Sequence, residues 1–79
     1  MKEGRLCFNN SNQRYGVLSH DASQWLDPGL SCGTCLQILV DGTWVQTRME
    51  MDFDRNWYLV DTPYRGDLED IRVRIITTG

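Results

Sequence analysis

Residues 35–50, CLQILVDGTWVQTRME, place an Asp-Gly pair between two runs rich in β-branched and aromatic side chains. A two-residue type I′ turn needs positive φ at both central positions, which Asp and Gly tolerate, so Asp41-Gly42 predicts a tight hairpin between strands 35–40 and 43–50. Such a turn also sets register, because a slip of one residue would send every side chain to the opposite face. Val40 is expected opposite Thr43, Ile38 opposite Val45 and Leu36 opposite Thr47. Leu36, Ile38, Val40, Val45 and Met49 then make the core face. Cys35, Gln37, Leu39, Trp44, Gln46 and Arg48 make the other, mixed and partly exposed.

A period of two, broken by turn residues every 8 to 12 positions, runs through most of the chain. Strands are expected over 4–8 and 14–18, separated by Asn9-Asn10-Ser11-Asn12. Residues 19–31 read as irregular: Asp27-Pro28-Gly29 is a turn signal, and Trp25 and Leu26 are expected to fold over an open end of the barrel. Asp54-Arg55-Asn56 predicts a second hairpin turn, with 57–60 as the returning strand. The last strand, 71–76, alternates Ile71, Val73 and Ile75 against Arg72 and Arg74. No amphipathic helix, repeat or linker interrupts the pattern. The expectation is a single all-β domain over residues 1–79, a small antiparallel SH3-like barrel of five to six short strands whose closure protects strand edges.

A chain of 79 residues supports one modest core and no deep substrate cavity. Eleven acidic residues against eight Lys and Arg give a net charge of −3, which disfavours phosphate backbones as partners. Seven of the eight cations are Arg, and Arg72 and Arg74 share a strand face. With Arg65 they form the alternative surface, one for nucleic acid. No apolar run approaches the roughly 20 residues needed to span a bilayer, and no leader peptide is evident behind Met1. With an odd number of cysteines, a reducing cytoplasm is the expected compartment.

The stretch Ser31-Cys32-Gly33-Thr34-Cys35 carries a Cys-x-x-Cys. Redox thiols of this spacing sit at a helix N-terminus, whose dipole lowers the thiol pKa, whereas this motif runs into a strand. Zinc would require Cys7 and His20 beside Cys32 and Cys35, a spacing unlike standard fingers or ribbons. The expected reading is a Gly33-centred bend before a strand, with no metal or other cofactor. Asp52-x-Asp54-x-Asn56 resembles the start of an EF-hand loop, but Trp57 and Pro63 occupy the positions that need Gly and Glu. Ser19-His20-Asp21 holds three triad residue types as sequence neighbours, which cannot generally form a relay. Catalysis is therefore not expected.

Trp25, Trp44, Trp57, Tyr15, Tyr58 and Tyr64 are many large rings for so small a domain. Trp and Arg dominate binding hot spots. Trp44, on the face opposite Ile38 and Val45, is the expected centre of a surface for a protein or peptide partner, with Arg48, Leu39, Gln37 and Gln46 around it. Self-association through an apolar face is compatible with this reading.

Gly4-Arg5-Leu6, Arg14-Tyr15, the Leu30-x-Cys32-Gly33 bend, Asp41-Gly42-x-Trp44-Val45, Thr47-Arg48-x-Glu50 and Trp57-Tyr58-Leu59-Val60 form a signature spanning roughly 4–76. On it, the chain resembles a family of small bacterial proteins carrying a domain of unknown function, often encoded on plasmids, phages or integrated conjugative elements. The resemblance implies an SH3-like β fold and an accessory role in mobile-element biology. It implies no activity and transfers no catalytic residue.

Overall fold

Asp41 (φ 49°) and Gly42 (φ 81°) both adopt the left-handed conformation. The hairpin they close has the expected register, with Val40 opposite Thr43, Ile38 opposite Val45 and Leu36 opposite Thr47. The structure, a computed structural model, describes residues 2–75. It contains β1 (Lys2–Asn9), β2 (Arg14–Leu18), β3 (Trp25–Asp27), β4 (Cys35–Val40), β5 (Thr43–Met51), β6 (Trp57–Leu59) and β7 (Arg72–Ile75). Ile76, assigned to the last strand by its alternation, lies outside the described residues.

All ladders are antiparallel, in the order β3-β2-β1-β7-β4-β5-β6. Two meanders, β1–β3 and β4–β6, are thus joined by β7, which pairs Val73 with Gly4 on one side and with Ile38 on the other. The sheet curls into a half-barrel. Its concave side holds Leu6, Val17, Ile38, Met49, Leu59, Leu68 and Val73, all fully buried. Close approach of β1 and β2 needs a glycine at position 4, where a Cβ would lie 2.1 Å from the Leu18 carbonyl oxygen.

The all-β antiparallel class holds; beyond shifts of one or two residues at the ends of β1, β5, β6 and β7, two differences bear on the architecture. Seven strands form rather than five or six, because Trp25–Asp27 pairs with β2 where an irregular cover was expected. The reason lies in the preceding loop. Ser19 N–H donates to the Gln24 carbonyl, and Ser19 Oγ accepts from the Ser23 and Gln24 N–H groups, folding the chain back along β2. Trp25 therefore sits opposite Leu18 on an edge strand, 37% exposed, rather than folded over an open end. The second difference is closure: the edge strands β3 and β6 are three residues each and do not pair with one another.

The loop from Val60 to Ile71 returns across the core. Leu68 is its buried anchor, and Tyr15 Oη accepts from the Leu68 N–H (3.1 Å) while donating to the Gly66 carbonyl (3.2 Å). Two bonds from one buried hydroxyl thus tie down a loop more than fifty residues away in sequence, alongside backbone bonds from the Gly66 N–H to the Trp57 carbonyl and from the Asp70 N–H to the Leu6 carbonyl.

Candidate binding face on the outer side of the sheet

The insertion of β7 between β1 and β4 assembles a row on the solvent side of the sheet. Glu3 lies opposite Arg74, Arg74 opposite Gln37, and Gln37 opposite Gln46. Arg74 Nε donates to Gln37 Oε1 at 2.6 Å, and Gln37 Nε2 donates onward to Gln46 Oε1 at 3.4 Å. Trp44 is half-buried beside this row and opposite Leu39. The Arg74 guanidinium carbon stands 4.2 Å from the centroid of its ring. Such a cation–π contact is worth about 0.5–1 kcal/mol at an exposed site, and together with the Arg74–Gln37 bond it favours one arrangement of the two side chains. The result is a preformed plate of indole, guanidinium and two amides.

Of the partner-binding residues expected from sequence, Trp44, Leu39, Gln37 and Gln46 come together. Arg48 lies four residues along β5 from Trp44, about 13 Å away at strand spacing, and its Nε donates to Glu50 Oε2 at 2.7 Å. It borders the plate and is not part of it.

The alternative basic surface is divided. Arg72 and Arg74 share β7, and Arg72 lies opposite Arg5, whose Nη1 is 3.1 Å from Asp70 Oδ1. Arg65 belongs elsewhere. Its guanidinium lies over the Tyr58 ring at 4.3 Å and pairs with Asp52, on the β6 side of the sheet. Three strand spacings, about 14 Å, separate β6 from β7, so Arg65 does not extend the Arg72–Arg74 stripe.

The four-residue zinc set is not assembled. Cys7 is half-buried opposite Gly16, Cys32 and Cys35 are exposed, and His20 Nε2 sits 3.7 Å from Glu3 Oε2. Among the described residues, no group of three or more His, Cys, Asp and Glu is placed to hold a metal ion. Gly33 has φ +89°, and the Gly33 N–H and Thr34 carbonyl both bond Met49, which pins the Cys-x-x-Cys turn to β5.

The two remaining polar motifs are turns. Asp52 Oδ1 accepts from the Asp54 and Asn56 N–H groups at 2.9 Å each. The Asn56 N–H, with Arg65 adding to it, lowers the Asp52 pKa. Asp21 is held at about 2 by the Ser23 and Ser19 groups that bond its carboxylate. Ser19 Oγ donates to that carboxylate at 2.7 Å, while His20 turns to Glu3, so no serine–histidine relay exists there.

Arg74 is the member of the plate that sequence reasoning placed on the other surface. The β7–β4 ladder that carries it to Trp44 joins residues 37 apart in sequence, and no local pattern marks that pairing. A family model described as "Domain of unknown function (DUF5348)" matches residues 4–75, so the chain belongs to that family. No curated protein and no solved structure matches it significantly. Among the described residues, no helix is long and apolar enough to cross a membrane.

Proposed function

We propose that this protein is a small non-catalytic binding module whose outer sheet face, centred on Trp44 and Arg74, receives a protein or peptide partner. The observation that carries the reading is the stacked Arg74–Trp44 pair, steadied by Gln37 and flanked by Leu39 and Gln46. Trp and Arg are the side chains most enriched among binding hot spots, and a plate already held in one geometry loses little rotamer entropy on association. The amides of Gln37 and Gln46 supply donors and acceptors at its rim. SH3 domains engage extended peptides through aromatic-lined grooves on a small antiparallel sheet, and we extend that aromatic likeness to the Trp44 face. Three free thiols support a reducing cytoplasm as the working compartment. An accessory role in mobile-element biology suits an adaptor of this size.

The test is partner capture by the wild type and by Trp44→Ala and Arg74→Gln variants, with melting curves on the same samples. Hot-spot truncation is expected to weaken capture by about tenfold or more, while stability changes by no more than about 1 kcal/mol. Capture that survives both substitutions sinks the reading. Salt-dependent retention of DNA or RNA, abolished by Arg72→Gln with Arg74→Gln, would assign the face to phosphate instead.

A further inference from the structure

The β5–β6 hairpin ends in a hydrophobic tip that the outer-face reading leaves unused. Phe53 is fully exposed and Met51 is 37% exposed, two of the three large apolar side chains the described residues present to solvent. Beside the tip, where it meets the β1–β2 turn, lies an open pocket of about 420 Å³ lined by Phe8, Gln13, Met51, Arg55 and Trp57. Trp57 Nε1 donates to the Gln13 carbonyl at 3.3 Å, and Phe8 packs edge-on against Tyr15 at 5.2 Å, so the floor is rigid. A cavity of about 150 Å³ accommodates a benzene ring, so this pocket has ample room for a phenyl group and the chain bearing it.

We propose that this tip is a self-association site, in which Phe53 of one copy enters the pocket of a second copy and the contact is reciprocated. Knob and hole are chain neighbours, Phe53 lying between the lining residues Met51 and Arg55. They therefore occupy one surface, the condition for a closed two-fold contact rather than a growing filament. Charge points to the same occupant. Asp54 and Arg55 follow the knob in the chain, both are exposed, and neither has an ion-pair partner among the described residues, whereas Asp52 on its other side is already paired with Arg65. A two-fold arrangement that sets each Asp54 against the other copy's Arg55 satisfies both charges at once, whereas one that opposes like residues does not. The patch is small beside the roughly 800 Å² per partner of a standard interface, so the dimer is weak, with Kd between about 10 μM and 1 mM. Trp44 lies at the other end of β5, about 23 Å from Met51 at strand spacing, so the two surfaces are tested separately.

The experiment is sedimentation velocity across about 10 μM to 1 mM, the interval that brackets the expected Kd. Wild type should dimerise with concentration. Phe53→Ser, at a fully exposed position, should keep the melting temperature and weaken dimerisation at least tenfold. Asp54→Arg presents two cations at the tip and Arg55→Asp two carboxylates, so each alone should remain monomeric and their equimolar mixture should dimerise. A wild type that stays monomeric throughout, or a dimer that persists in Phe53→Ser, overturns the proposal. Failure of the mixture to dimerise overturns the two-fold pairing of Asp54 with Arg55.

Discussion

Replacing Tyr15 by Phe deletes one oxygen and tests how the 60–71 loop is held. The ring is 5% exposed, and its edge-on contact with Phe8 needs no hydroxyl, so packing should survive. Two bonds do not. The Leu68 N–H, beside a fully buried side chain, loses its acceptor, and the Gly66 carbonyl loses its donor. An orphaned buried N–H costs about 1–3 kcal/mol and a lost partly exposed bond about 0.5–1.5 kcal/mol. The expected destabilisation is about 2 kcal/mol, which for a domain this size lowers Tm by about 8–16 °C. Urea unfolding followed by tryptophan fluorescence reads the magnitude, and amide exchange at Leu68 locates it. The same substitution has a pH signature. Burial raises the Tyr15 pKa above its ordinary value of 10.0. Stability from the neutral phenol is therefore complete below pH 10 and lost as pH climbs through the raised folded value. Tyr15→Phe should abolish that alkaline component. A loss under about 0.5 kcal/mol, with Leu68 protection unchanged, would refute the role given to this hydroxyl.

Gly4→Ala should cost about 1–3 kcal/mol or more, because the new methyl meets the Leu18 backbone at 2.1 Å and cannot rotate away; thermal melts that leave Tm unchanged would contradict the close β1–β2 approach. Acid should destabilise through Asp21. Its folded pKa of about 2 lies below the ordinary 3.8, so its contribution is intact above about pH 4 and disappears as pH falls through 2. A carboxyl NMR titration of Asp21 with a midpoint near 3.8 would remove that contribution.

Much of the local structure was legible from residues alone. The Asp41-Gly42 turn specified register across six cross-strand pairs, and β2 has the bounds its alternation implied. Both depend on interactions between near neighbours, where turn chemistry and side-chain period act directly. What escaped depends on distant segments. Trp25–Asp27 is only three residues, too short for periodicity, and becomes a strand because the Ser19 loop turns it onto β2. Leu68 is core in a loop held by distant partners, the Tyr15 hydroxyl and the Trp57 and Leu6 carbonyls. The candidate face shows the same division. Trp44, Leu39, Gln37 and Gln46 share a hairpin face and were found together, whereas Arg74 reaches them through β7, and Arg65, expected beside Arg74, is drawn to Tyr58 and Asp52.

The central claim is that the Trp44–Arg74 plate is the partner surface. Its most direct test is quantitative crosslinking capture in the native host cell, comparing wild type, Trp44→Ala, Arg74→Gln and Phe53→Ser at equal expression. A partner held by wild type and Phe53→Ser, and depleted about tenfold by either plate substitution, is the expected result. A partner profile indifferent to both Trp44 and Arg74 would contradict the claim.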